Sequence, residues 1–217
     1  MKKRRLVLSL LSGALMLGFS TTAFASTFPQ TYQQNKTNWC WAATAVLVGE
    51  TNGGATLAHT AVRLIDTTGI IEDAVGIDNE GYYTAYNPQR AIVVNEFTDD
   101  GNHSGSFTNL QNALQYVSDD DMEIGKKRLD YDSDYISTIQ DETTDGRYVA
   151  GFVAKDVNSY GHFVTVFSYS ASMEKYGVYD PWNKKTQYVT KSQAFDAGIN
   201  VAGWTTKYRI VRIDYCR

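Results

Sequence analysis

Apolar residues recur at helical spacing in the first part of the chain. The segment Trp39–Glu50 is rich in alanine and apolar residues, follows Asn38 as a candidate N-cap, and stops at Asn52-Gly53-Gly54. Ser104 or Ser106 is a candidate N-cap for a later helix. The apolar spacing predicts four further helices, over Leu57–Asp66, Asn87–Phe97, Phe107–Val117 and Asp132–Glu142.

The pattern changes to short alternating runs after Gly146. β-Branched and aromatic residues predict strands over Arg147–Lys155, His162–Tyr169, Tyr176–Tyr179, Thr186–Thr190 and Lys207–Tyr215. Turn signals at Asn158-Ser159-Tyr160-Gly161 and at Pro181 separate these runs. Helices followed by strands predict an α+β fold with an antiparallel sheet. The cleft between the helical part and the sheet is then the expected ligand site.

The first 25 residues have the pattern of an export signal. Residues 2–5 (KKRR) form a basic start, and Leu6–Phe19 is a nearly unbroken apolar run of 14 residues. A membrane-spanning helix needs ~20 apolar residues, whereas Ala23-Phe24-Ala25 has the small-x-small form of a cleavage site. We therefore expect residues 1–25 to be a signal peptide removed near Ala25. Residues 26–217 would form one secreted domain, extracellular or periplasmic.

The charge balance bears on the partners of this domain. The net charge is −4, and loss of the four basic residues of the signal takes it to about −8. An acidic surface argues against nucleic acid and against binding to anionic membranes. No second long apolar stretch follows the first, so we expect no stable membrane association. No histidine–cysteine cluster has metal-ligand spacing, and the sequence predicts neither a metal nor a cofactor.

The two cysteines, Cys40 and Cys216, admit two interpretations. In an exported protein, a disulfide between them is the ordinary outcome of an even count. The alternative is that Cys40 is reactive, because unpaired N–H groups and the helix dipole at a helix start favour a thiolate. Trp39 and Trp41 would then wall the site and pack the helix start. Cys216 would be a leftover thiol at an exposed chain end.

His162 is the preferred base for a Cys40 thiolate. It follows Gly161 and opens a strongly alternating strand, a position that suits the edge of a cleft. The other histidines are less suitable, because His59 lies within a helical pattern and His103 lies in a polar turn.

Asp180 is the candidate partner of this base. It lies 18 residues beyond His162, at the end of the next predicted strand. Two strands linked as a hairpin bring its carboxylate beside the imidazole, where it fixes the tautomer and steadies the imidazolium. Asn183 is the alternative for this orienting role, and Trp182 would shield the hydrogen bond from water.

Gln34 is a candidate oxyanion donor. It lies six residues before Cys40, in a loop that leads into the helix. From there its amide can donate to the oxyanion of a tetrahedral intermediate beside the backbone N–H of Cys40. Gln30 and Gln33 lie close by, so the choice among the three glutamines rests on the motif below.

The combined motifs resemble papain-like cysteine peptidases, with the greatest likeness to the bacterial C39-like and AvrRpt2-like (C70) branches. The matching segments are Gln34, Cys40-Trp41-Ala42-Ala43, Gly161-His162 and Asp180-Pro181-Trp182. The resemblance implies a papain-like fold, in which an N-terminal helical part with the nucleophile helix packs against a C-terminal antiparallel β-sheet. It implies these roles: nucleophile for Cys40, general base and acid for His162, orientation of the histidine for Asp180, and oxyanion stabilisation for Gln34.

The chain departs from plant and lysosomal relatives in its spacing. His162 follows Cys40 by 122 residues rather than the ~130–150 typical of those relatives, and Asp180 stands where they use asparagine. Only 14 residues separate the cleavage site at Ala25 from Cys40, which leaves no room for an inhibitory propeptide. We therefore expect either secretion as an active enzyme or control by a separate inhibitor.

The predicted activity is hydrolysis of peptide bonds in a protein or peptide substrate by a monomer, through a Cys-His-Asp triad and a thioester. One alternative is a transglutaminase-like or amidase acyl transferase with the same residue order. Another is a non-catalytic secreted effector or binding domain closed by a Cys40–Cys216 disulfide. A third is a leader peptidase, although such domains are usually fused to a membrane transporter. Segments such as Asp73–Tyr86 would either line the cleft and supply pocket residues or only cover the core, and the sequence leaves the specificity open.

Overall fold

The structure, a computed structural model, describes residues 33–52, 88–118 and 122–217. Within these ranges the chain forms four α-helices: α1 (Cys40–Asn52), α2 (Pro88–Phe97), α3 (Phe107–Val117) and α4 (Tyr135–Thr144). Their lengths and compositions fall short of what a membrane crossing requires. The predicted helix Leu57–Asp66 and the predicted signal peptide, residues 1–25, lie outside the described ranges.

Six strands form one antiparallel sheet in the order β1-β6-β2-β3-β4-β5. Strands β2 to β5 pair as consecutive hairpin neighbours, and β6 returns to lie between β1 and β2. This arrangement confirms the predicted α+β class with an antiparallel sheet. The strands are β1 (Ile124–Arg128), β2 (Val149–Ala154), β3 (Gly161–Ser170), β4 (Lys175–Asp180), β5 (Lys185–Thr190) and β6 (Arg209–Cys216).

Helices cover both faces of this sheet. On one face α1 packs against α2, α3 and β3, and the shared core includes the buried side chains of Trp41, Leu114 and Phe163. On the other face α4 buries Tyr135 and Ile139 against the strands. Because α1 lies across β3, its first residue comes close to the start of that strand.

The structure differs from the sequence prediction at β1, at α4 and at a π-helical segment, Gln193–Ala197, that was not predicted. Strand β1 was not predicted, because its sequence IGKKR carries three basic residues and one glycine. Such charge is typical of an edge strand, and β1 is held by distant pairing with β6. Helix α4 begins at Tyr135 rather than at Asp132, because the Asp132 carboxylate accepts the backbone N–H of Arg128 at 2.6 Å in the preceding turn. Helix α3 has the predicted bounds, with Ser106 as its N-cap.

Helices α1 and α3 are packed tightly at Gly49. A Cβ atom at Gly49 would lie 2.2 Å from Cγ2 of Val117. Alanine in a helix ordinarily gains ~1 kcal/mol over glycine, but overpacking in a core costs roughly 1–3 kcal/mol. We expect Gly49→Ala to lower the free energy of unfolding by up to about 2 kcal/mol in denaturant titrations. Val117→Ala should cost less in the Gly49→Ala background than in the wild type, and strict additivity would contradict this packing.

Candidate active site

Cys40 is the first residue of α1 and is half-buried beside a cleft. The N–H groups of a first helical turn have no intrahelical acceptor, so they and the helix dipole favour an anion there. The thiol contacts the His162 imidazole and the backbone N–H groups of Trp41 and Phe163. The sulfur atom therefore lies where three donors converge.

Two buried tryptophans anchor the start of α1. The indole N–H of Trp39 donates to the carbonyl of Gly101 at 2.9 Å, and that of Trp41 donates to the carbonyl of His103 at 3.2 Å. A Cβ at Gly105 would lie 2.2 Å from the Trp41 indole, so the loop that precedes α3 rests directly on that ring. The expectation that these tryptophans wall the site is wrong, because they are at most 1% exposed and face the interior. They fix the position of Cys40 from behind.

His162 and Asp180 form a buried hydrogen-bonded pair on neighbouring strands. Nε2 of His162 lies 2.7 Å from Oδ1 of Asp180, and the paired residues Thr165 and Tyr179 hold β3 and β4 in the register that brings them together. With Nε2 committed to the carboxylate, Nδ1 is the nitrogen left for Cys40. Asn183, the alternative orienting residue, is exposed, and the residue bound to His162 is Asp180.

The Asp180 carboxylate also accepts two backbone hydrogen bonds. The N–H of Trp182 donates to Oδ1 at 2.9 Å, and the N–H of Ala202 donates to Oδ2 at 2.7 Å. Both oxygens of this buried group are therefore satisfied, which is the condition for keeping a charge away from water. Three segments of the chain meet at one carboxylate.

The three groups shift one another's ionisation. Burial opposes ionisation of Cys40, yet the charge and hydrogen bond of His162 hold the pKa of the thiol below its ordinary 9.0. Burial alone would lower the pKa of His162, but the Cys40 charge and the Asp180 hydrogen bond raise this pKa to about 9. Burial would raise the pKa of Asp180, but its hydrogen bonds to His162 and to the two backbone N–H groups lower it. Cys40 and His162 therefore each favour the charged form of the other, which is the electrostatic basis of a thiolate–imidazolium pair.

Gln34 lies close to the site but does not line the cleft. Its side chain is buried, and its backbone N–H donates to the carbonyl of Pro181 at 2.9 Å. Its Nε2 donates to the carbonyls of Lys36 at 3.0 Å and Thr37 at 2.7 Å. Both hydrogens of the Gln34 side-chain amide thus bind the loop before Cys40. To stabilise an oxyanion, the amide would have to give up one of these two hydrogen bonds.

A cleft of about 390 Å³ opens beside Cys40 and His162. Apart from those two residues, the described residues that line it carry no acidic or basic side chain. One wall is a cluster of Phe107, Phe152 and Phe163, with ring centroids 4.8 to 5.8 Å apart. A Cβ at Gly161 would lie 2.2 Å from the Phe152 ring, which explains the glycine before His162. The cleft therefore suits uncharged groups.

A buried ion pair supports the phenylalanine wall. The Arg212 guanidinium lies 3.8 Å from the ring centroid of Phe107 and is bound by the Asp214 carboxylate at 2.6 and 2.8 Å. Nε2 of Gln111 on α3 donates to the same carboxylate at 2.9 Å. Charge and packing together hold the ring in place.

Two residues of the site were not found from the sequence. Ala202 binds Asp180 through its backbone, and the Trp204 ring meets the His162 ring edge-on at 6.1 Å between centroids. Backbone donors carry no residue-type signal, and the only local sign is Gly203, which the left-handed turn here favours (φ 68°).

The remaining candidate residues lie elsewhere. The His103 ring binds Asp99 at 2.6 Å and stacks on Phe97, outside the cleft. His59 and the segment Asp73–Tyr86 lie outside the described residues. In residues 33–52, 88–118 and 122–217, no group of three or more histidine, cysteine, aspartate or glutamate side chains is arranged to hold a metal ion.

The expectation that Cys216 lies at an exposed chain end is wrong. The residue is the last of β6, it is fully buried, and it accepts a hydrogen bond from the Ser118 hydroxyl at 3.1 Å. Cys40 and Cys216 are not joined by a disulfide. Gly49, near the far end of α1, packs on Val117 beside Ser118, and nine helical residues from Cys40 to Gly49 span about 13 Å. The two thiols thus lie at opposite ends of α1, beyond the ~4.4–6.8 Å Cα separation of a disulfide.

The rate of alkylation by iodoacetamide should report the ion pair. In the wild type we expect the pH midpoint of Cys40 alkylation to lie below that of an ordinary thiol. In His162→Ala the midpoint should rise by roughly one to three pH units, because the opposite charge is lost while burial remains. Cys216→Ser should keep the wild-type profile. An unchanged midpoint in His162→Ala would show that the imidazole does not set the ionisation of Cys40.

No protein-family model matches the sequence, and no curated protein matches it. The likeness to papain-like cysteine peptidases consists of the short motifs quoted above.

Proposed function

We propose that this chain is a papain-like cysteine peptidase, which hydrolyses peptide bonds through a thioester on Cys40. The observation that carries the proposal is the continuous contact from the Cys40 thiol through the His162 ring to the buried Asp180 carboxylate. Each member alone is common in proteins. Their contacts in this order, beside a cleft whose described lining is otherwise uncharged, are the arrangement of an activated nucleophile. The packing of α1 against β3 is consistent with the papain-like fold that the motifs imply.

The first half-reaction is acylation. The Cys40 thiolate attacks the substrate carbonyl carbon, and the carbonyl oxygen becomes an oxyanion next to the N–H groups of the first helical turn. His162 then gives its Nδ1 proton to the leaving nitrogen, the C–N bond breaks, and the amine departs. The products are a thioester on Cys40 and a neutral imidazole, which Asp180 keeps in the tautomer with the proton on Nε2.

The second half-reaction is hydrolysis of the thioester. The neutral His162 accepts a proton from water at Nδ1 while the water oxygen attacks the carbonyl carbon. The C–S bond breaks, the carboxylic acid leaves, and the thiolate–imidazolium pair is restored. Hydrolysis should therefore follow a bell-shaped pH profile, with an acid limb from protonation of Cys40 and an alkaline limb from loss of the His162 proton near pH 9.

The substrate that we propose is a protein or peptide, acted on by a secreted monomer that needs no cofactor. A transglutaminase-like transferase shares the first half-reaction and differs in the second, where an amine replaces water. Parallel assays of peptide hydrolysis and of amine incorporation separate these two activities.

Labelling by a peptidyl inhibitor that reacts with thiolates tests the nucleophile. Cys40→Ala should lose both the label and peptide hydrolysis, because the other thiol of the chain, that of Cys216, is fully buried. Cys216→Ala is the matched control and should keep both, because its thiol lies at the far end of α1. Label lost in Cys216→Ala but retained in Cys40→Ala would overturn the proposal.

Gln34→Ala tests the oxyanion role. Removal of an oxyanion donor costs roughly 10²–10³ in kcat, whereas alkylation by iodoacetamide forms no oxyanion and should keep its rate. Gln89→Ala is the matched control, because the Gln89 amide ties the same loop through Asn35 N at 3.1 Å and Gln33 O at 2.9 Å. If the two variants lose hydrolysis equally, Gln34 acts only by holding the loop.

A further inference from the structure

Two aromatic side chains, the exposed Tyr160 and the half-buried Trp204, flank the catalytic histidine. Tyr160 precedes Gly161 in the loop between β2 and β3 and is 80% exposed. Its ring centroid lies 6.2 Å from that of Trp204, whose ring also packs against Tyr208 at 5.5 Å. Both Tyr160 and Trp204 line the cleft, and we call the pair the aromatic ledge. Large exposed aromatic surface next to a cleft is typical of a binding site.

The ledge is fixed to the catalytic carboxylate. Ala202 and Gly203 adopt left-handed conformations, with φ of 50° and 68°. The resulting turn directs the Ala202 N–H to Asp180 Oδ2 at 2.7 Å and closes with a bond from Trp204 N to the Val201 carbonyl at 2.9 Å. A non-glycine residue in this region is strained, and such strain persists where the surroundings demand it. The same carboxylate thus orients His162 and holds the turn that carries Trp204.

The reaction determines which part of a substrate meets the ledge. In the acylation step His162 protonates the leaving nitrogen, so that nitrogen must lie within hydrogen-bond reach of the imidazole. The residue after the scissile bond contributes this nitrogen, and its side chain is attached to the Cα bonded to that nitrogen. The ring in edge contact with His162 is Trp204, and Tyr160 lies two residues before His162 in the chain. The phenylalanine wall belongs to α3, β2 and β3 and is a separate surface of the cleft.

We propose that the aromatic ledge binds an aromatic or large apolar side chain immediately after the scissile bond. This inference rests on the proposed peptidase function and adds to it a preference on the leaving-group side. Two aromatic faces recognise a third ring by stacking or edge contact. No acidic or basic side chain among the described lining residues, other than the catalytic pair, is present to favour a charged residue there.

The partition of the thioester between water and an added amine measures this preference directly. The enzyme is acylated by an N-acyl amino acid p-nitrophenyl ester, which has no residue after the scissile bond. Phenylalaninamide or alaninamide is then added, at the same concentration in each assay. The amine nitrogen attacks the thioester carbonyl, its proton passes to His162, and Cys40 leaves as the thiolate. The ratio of the new amide to the hydrolysis product reports binding of the amine side chain.

In the wild type we expect phenylalaninamide to be incorporated at least about tenfold more than alaninamide, the discrimination ordinary for a hydrophobic pocket. Tyr160→Ala and Trp204→Ala should each reduce the preference several-fold. Both amines react with the same thioester, so a general change in the deacylation rate cancels from the phenylalaninamide-to-alaninamide ratio. Tyr131→Ala is the control, because Tyr131 is 76% exposed but does not line the cleft, and it should keep the wild-type ratio.

The outcomes separate the two proposals. Equal incorporation of phenylalaninamide and alaninamide by the wild type would overturn the ledge as a binding site while leaving the peptidase intact. A preference that survives in both Tyr160→Ala and Trp204→Ala would assign it to another surface and would also overturn the inference. Release of p-nitrophenol and formation of the new amide that do not exceed the rates with Cys40→Ala would show that no thioester forms on Cys40, which contradicts the peptidase proposal itself.

Discussion

The buried carboxylate of Asp180 is the interaction on which the site depends. A buried charge is costly unless its hydrogen-bonding capacity is filled, and here three N–H groups from separate parts of the chain fill it. His162 comes from the start of β3, Trp182 from the turn after β4, and Ala202 from the segment before β6. The next carbonyl, that of Pro181, accepts from Gln34 in the loop before α1. Loss of this one charge would therefore disturb His162, the rim of the cleft and the loop before Cys40 together.

Two supports of different kind surround the cleft. The phenylalanine wall is backed by the Arg212–Asp214 pair, which is sealed inside the protein and bound to α3 through Gln111. The ledge side is supported by a left-handed turn and backbone hydrogen bonds, and its Tyr160 remains largely in solvent. Packed interiors resist change, whereas exposed aromatic rings on loops adjust easily. The phenylalanine wall is thus expected to be the more rigid side of the cleft and the ledge the more adjustable side.

The sequence was sufficient for the parts of this arrangement that have a local cause. Helix α3 follows from apolar spacing and the Ser106 cap, and the meeting of His162 with Asp180 follows from two hairpin-linked strands. Strand β1 could not be found, because its pairing with β6 spans most of the sheet-forming chain and its own sequence is polar. The contact of Ala202 with Asp180 was equally invisible, since a backbone donor leaves no mark on residue type. The burial of Cys216 depends on the same distant pairing of β6.

The separation of the two sulfur atoms along α1 affects how Cys40 recovers from oxidation. Redox-sensitive cysteine proteins often keep a second thiol beside the reactive one, which captures a sulfenic acid as a disulfide before further oxidation. Here the chain has two cysteines in all, and Cys216 is enclosed beside Ser118 at the other end of the helix. An oxidised Cys40 has no internal thiol to rescue it, so its return to the reduced state depends on thiols supplied by the surroundings. The concentration of thiols around the protein therefore determines how long Cys40 stays reduced.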